Sequence, residues 1–153
     1  LGAWYRWNDS WAGRRVFIPA LAAYAPPGRI TASVSEIFAP GAPPPDYIAH
    51  AGVALALRRA TLRANIRQVT RLKPHLAEMR TAYPGIAVPV EILHGDEDAI
   101  VPLAVHSEPL ARQVPGAALT RLAGVGHMPH HQAPGAVEAA VVRAAARAGL
   151  RPG

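Results

Sequence analysis

Two short stretches hold most of the side chains that could do chemistry. The first is His94-Gly95-Asp96-Glu97-Asp98, three carboxylates directly after an apolar run. The second is Gly124-Val125-Gly126-His127, with His130 and His131 close behind. Carboxylate and imidazole together activate a hydroxyl nucleophile. A serine hydroxyl is a poor nucleophile near neutral pH and needs an imidazole within hydrogen-bond reach to take its proton. The imidazole needs a carboxylate to fix its tautomer and stabilise its charged form. Asp96, Glu97 and Asp98 each have the chemistry for that acid. His127, His130 and His131 could instead form a metal site, but no neighbouring carboxylate completes a ligand set. The chain has no cysteine. That excludes a thiolate nucleophile, a Cys-ligated zinc or iron–sulfur centre and a disulfide framework. No metal and no cofactor is expected. His94, at the end of the apolar run, reads as structural, and His50, His75 and His106 carry no motif.

The elements around these residues should bring them together. The run 88–94, β-branched and aliphatic between proline and glycine, predicts a buried strand, and Ala118-Leu119-Thr120-Arg121-Leu122 a second. Residues 103–114 predict a helical crossover with Leu103, Leu110 and Val114 facing inward. Pro109 argues against a regular helix throughout. A loop to Ser107, then a short helix capped by Ser107 with Pro109 in its first turn, fits as well. Pro134 should start a last helix over about 134–148, ended by Gly149. Its buried stripe would be Val137, Ala140, Val141, Ala144 and Ala148, with Arg143 and Arg147 pointing outward. Strand, crossover, strand, helix is the unit of a parallel α/β sheet, whose active groups lie beyond the carboxyl ends of the strands. Both chemical stretches then fall on one rim, and Gly124 and Gly126 permit the tight loop that presents His127.

Upstream, Asp46 can cap a helix over about 47–59, with Gly52 its weak point. A second helix is expected over about 62–83, kinked or divided at Pro74 and ended by Pro84-Gly85. Its apolar face would be Leu62, Ile66, Val69, Leu72, Leu76 and Met79. Residues 1–45 read as irregular, with Trp4, Trp7, Trp11, Phe17 and Tyr24 among prolines and glycines, and 38–45 must be extended or turning. Half of the 153 residues are hydrophobic and 17% charged, which rules out wholesale disorder. The net charge of +6 is mostly arginine. Arg14-Arg15, Arg58-Arg59 and the series Arg63, Arg67, Arg71, Lys73 alternate with apolar residues at helical spacing, so they read as a solvated face. No nucleic-acid-binding motif accompanies them. No run of about 18 apolar residues predicts a membrane span. Nothing near Leu1 reads as a signal peptide, so a cytoplasmic location is expected.

The run Val90-Glu91-Ile92-Leu93-His94-Gly95-Asp96-Glu97-Asp98-Ala99-Ile100-Val101-Pro102 resembles the seventh strand and acid loop of the α/β-hydrolase family. Leu119-Thr120-Arg121-Leu122-Ala123-Gly124-Val125-Gly126-His127-Met128-Pro129-His130 resembles that family's final strand and catalytic-histidine loop. The resemblance covers 86–148 closely, and 1–85 looks like the helical cap that many members insert ahead of these strands. It implies the C-terminal part of an α/β-hydrolase parallel sheet (86–153) preceded by a cap or lid segment (1–85). Asp98, at the last position of Gly-x-x-Asp, would be the acid and His127 the base, while Asp96 would make local turn hydrogen bonds. An aromatic-rich cap implies a small, apolar substrate. The family's Gly-x-Ser-x-Gly nucleophile motif and its oxyanion loop are absent, and Ser10, Ser33, Ser35 and Ser107 have the wrong surroundings. The chain also opens on leucine. It is therefore expected to be the C-terminal portion of a hydrolase, inactive alone, with its nucleophile in the N-terminal half. The alternative is a stand-alone, non-catalytic binding module of the same fold.

Overall fold

A computed structural model describes residues 10–18, 20 and 27–150. Trp4, Trp7 and Tyr24 of the expected aromatic lid lie outside the described residues. The architecture is mixed: α-helices and a small two-stranded parallel sheet. The chain forms two compact units, residues to 33 with 45–80, and 34–44 with residues from 81 onward.

In the first unit, Gly13–Phe17 form a π-helical turn. Helix α1 (Pro27–Phe38) corrects the expectation of an irregular N-terminal region and runs on into the second unit. Ile30, Val34 and Phe38 recur every fourth residue, and Pro27 sits at the first position, where its missing N–H costs nothing. The flanking prolines hid a helical period that was present.

The helix expected over 47–59 is two single turns, α2 (Tyr47–His50) and α3 (Val53–Ala56). Gly52 takes a left-handed conformation between them (φ +60°). Asp46 is itself left-handed and makes no side-chain cap. Helix α4 (Arg59–Met79) begins earlier than expected and runs through Pro74 before a 3₁₀ segment, Arg80–Gly85. Of its anticipated apolar face only Ile66 is buried; Leu72, Leu76 and Met79 are 41–54% exposed. Periodicity marks a face fit for burial, but among the described residues nothing covers this end of it.

The second unit holds the sheet. Strands β1 (Glu91–Gly95) and β2 (Ala118–Leu122) pair in parallel, Glu91 opposite Ala118 and Gly95 opposite Leu122. Pro89 cannot donate to a ladder, so the strand starts later than the apolar run does, and Val88 is left exposed. The crossover takes the loop-then-helix form, with α5 over Ser107–Gln113, but Ser107 is its first residue and not its cap; His106 takes the cap position with no side-chain bond. Helix α5 packs on both strands, and α6 (Pro129–Gln132) and α7 (Pro134–Arg147) pack on β1. Val34, Phe38, Ile92, Val114, Val125 and Ala140 are the buried apolar side chains of this unit.

Helix α7 is turned relative to expectation. Ala140 is buried, but Val141 is 64% exposed and Ala148 is exposed. Arg143 and Arg147 lie exposed, as expected, and both also reach back to Glu91 at the start of β1. Arg143 Nε and Nη2 donate to Glu91 Oε2 at 3.1 and 3.0 Å, and Arg147 Nη1 donates to Glu91 Oε1 at 3.0 Å. Burial alone would raise the Glu91 carboxyl, but hydrogen bonds and charge from Arg147 and Arg143 outweigh it and hold the group below its ordinary value.

Candidate active site

The carboxyl end of β1 leads into a turn that the next loop grips along its length. Asp96 N–H donates to the Leu122 carbonyl (3.1 Å), Glu97 N–H to the Val125 carbonyl (3.0 Å) and Asp98 N–H to the Gly95 carbonyl (3.2 Å). This close approach explains two of the glycines. A Cβ on Gly95 would overlap the Val125 carbonyl, and one on Gly126 the Ala39 carbonyl. Gly124 opens the loop with φ +69°, a left-handed conformation that other residues enter at a cost.

Within this frame, Asp98 and His127 meet. His127 Nδ1 lies 2.9 Å from Asp98 Oδ2. The Asp98 side chain is 6% exposed and that of His127 33%. The other Asp98 oxygen, Oδ1, accepts the Ile100 and Val101 N–H groups at 2.9 and 2.8 Å. Burial would raise the Asp98 carboxyl. The Val101 N–H bond, the His127 bond, the Ile100 N–H bond and the His127 charge together hold it below its ordinary value. An ionised carboxylate only accepts, so His127 must carry its proton on Nδ1 and present Nε2 as an acceptor. A shallow cavity of about 200 Å³ is lined by Leu93, His94, Asp98, Val101, His127 and Pro129, among others.

The neighbouring carboxylates have different roles from those expected. Asp96 does not make the expected local turn bonds. Its Oδ1 instead accepts the Gly124 N–H at 2.8 Å, linking the acid loop to the histidine loop. The local turn bonds belong to Asp98. Glu97 is exposed and joins the histidine loop through its main chain. The ring centres of His130 and His131 lie 4.5 Å apart with their planes tilted by 46°, and His131 lies 5.2 Å from the Phe38 ring. Among the described residues no group of three or more His, Cys, Asp or Glu is placed to hold a metal ion. No helix among them is long and apolar enough to cross a membrane.

Two features escaped the sequence. Gln132 braces the histidine loop: Oε1 accepts the Gly126 N–H at 2.8 Å, and Nε2 donates to the Phe38 carbonyl. Its partner is remote in sequence, and no local signal marks it. The second is the partnership of His94: buried as its structural reading expected, it bonds on both sides, to Ser107 Oγ (2.6 Å) and the Val101 carbonyl (2.8 Å), and neither partner was foreseen. Comparison with protein-family models, curated proteins and solved structures found no match.

Proposed function

We propose that the chain supplies the acid and the base of an α/β-hydrolase-type triad, Asp98 and His127, to a nucleophile carried by a segment outside these residues. The observation that carries this reading is the 2.9 Å bond from His127 Nδ1 to a nearly buried carboxylate whose other oxygen takes two backbone N–H groups. The acid is held ionised and in place, and it sets the one tautomer in which Nε2 can take a proton from a hydroxyl about 2.6–3.2 Å away. The reaction class is hydrolysis of an ester, amide or thioester bond in a small, apolar substrate through a covalent acyl intermediate. The resemblance of 86–148 to the family's acid and histidine loops supports the same reading.

In the mechanism, Asp98 stays charged throughout. His127 Nε2 accepts the proton as the nucleophile attacks and gives it to the leaving group; water then attacks the acyl intermediate, passing its proton through Nε2 to the nucleophile's oxygen, and Asp98 stabilises the imidazolium in each half. An acid and a base without nucleophile or oxyanion donors lack most of the transition-state stabilisation.

The test is turnover of a p-nitrophenyl ester. The 153-residue chain alone should show none above background. Co-expressed with the segment encoded upstream, which should contain Gly-x-Ser-x-Gly, it should hydrolyse the ester and lose that activity on His127→Ala. Turnover by the purified chain alone that vanishes with His127→Ala would show a complete site within these residues and overturn the proposal.

A further inference from the structure

We infer that His94 and Ser107 are positioning residues for the acid, acting on Asp98 through the Val101 peptide. The inference rests on the reading of Asp98 and His127 as an acid–base pair, but its geometry can be tested without turnover.

Four observations carry it. The Val101 peptide is engaged at both ends: its N–H donates to Asp98 Oδ1 at 2.8 Å, and its carbonyl lies 2.8 Å from His94 Nε2. A carbonyl only accepts, so Nε2 must carry the proton of the neutral ring. Nδ1 is then an acceptor and takes the Ser107 hydroxyl at 2.6 Å, which fixes the tautomer. His94 and Ser107 are 7% and 8% exposed, so water offers neither a ready replacement partner.

The bonds form a chain from the first turn of α5 to the base: Ser107 to His94, His94 to Val101, Val101 to Asp98, Asp98 to His127. His94 Nε2 is also 3.6 Å from Asp98 Oδ2, the oxygen that His127 uses. One carboxylate oxygen therefore faces two imidazoles of opposite tautomer, His127 bonded through Nδ1–H and His94 close by through Nε2–H. The second N–H places positive charge density beside the acid without displacing His127. The sequence places Ser107 well past the acid loop, and only the crossover returns it to the strand end.

The deciding experiment is ¹⁵N NMR of the histidine rings with ¹³C titration of the Asp98 carboxyl, on the chain as it stands. In the wild type, His94 should be the Nε2–H tautomer and His127 the Nδ1–H tautomer. Ser107→Ala should turn His94 into a mixture of tautomers and move the Asp98 midpoint up toward the ordinary value of about 3.9. Ser107→Thr, which keeps the hydroxyl, should restore both signatures. Retained β1–β2 amide signals would separate this effect from unfolding. If Ser107→Ala does not fold, the wild-type spectrum still decides. A wild-type His94 protonated on Nδ1 overturns the inference, as does a folded Ser107→Ala whose His94 tautomer and Asp98 titration are unchanged. Failure of ester hydrolysis in the co-expressed protein would sink the triad reading and leave these signatures intact, so the two failures are distinguishable.

Discussion

Asp98 accepts from Ile100, Val101 and His127, and its charge state ties the site to stability. Its carboxyl is held below the ordinary range in the folded chain, so the unfolded chain binds a proton more readily. The stabilisation is therefore complete above about pH 3.9, the unfolded value, and is lost as pH falls through the lower folded one. Asp98→Asn should have a lower Tm than wild type at neutral pH, and the gap should narrow below about pH 4; thermal melts from pH 2 to 7 read this directly. On the proposed triad, the same substitution in the co-expressed protein should lower kcat by up to about 10⁴-fold, because an amide would no longer select the tautomer that reading requires. Asp96→Asn should cost far less. Its retained carbonyl oxygen can still accept the Gly124 N–H, the bond that side chain makes among the described residues. A comparable kcat loss in the two variants would count against Asp98 as the acid.

At the scale of elements, the histidine loop depends on a glycine at its entry and on a helix far away in the chain. Gly124→Ala forces a side chain into φ +69° and should destabilise the chain by about 1–2 kcal/mol in urea unfolding. Phe38 is wholly buried at the end of α1, and its carbonyl accepts from Gln132, which in turn holds Gly126. Phe38→Ala should therefore cost about 3–5 kcal/mol and also loosen the loop bearing His127. The second effect would be seen as faster amide exchange at Gly126. Helix α4 gives the opposite expectation. Leu72→Gln and Leu76→Gln remove apolar groups that are already exposed, so they should change stability by no more than about 0.5 kcal/mol.

At the scale of the whole molecule, the sheet is the weak point. Two parallel strands are fewer than independent stability usually requires, and among the described residues each has an edge without a partner strand. Such edges are templates for pairing with another chain. The purified chain should self-associate as its concentration rises, which light scattering would detect, and co-expression with the upstream segment should suppress it. A concentration-independent monomer would argue against an edge awaiting a partner strand.

Local chemistry made much of this legible before any coordinates. The apolar runs bounded by proline and glycine marked both strands, and Pro134 and Gly149 marked the last helix, because these residues restrict the backbone wherever they occur. The placement of two strands in parallel, and of a carboxylate and an imidazole beyond their ends, followed from the order of the elements. What residue spacing could not determine was which faces find a partner. Leu76 and Ile66 carry the same helical signal, yet one is exposed and the other buried. Arg143 and Arg147 are exposed as their spacing suggests, yet nothing in that spacing tells that both would pair with Glu91. Gln132, Phe38 and Gly126 share nothing in sequence, and neither do Ser107, His94 and Val101. Burial and hydrogen-bond partnership are properties of pairs brought together through space, and the tertiary structure alone decides those pairs.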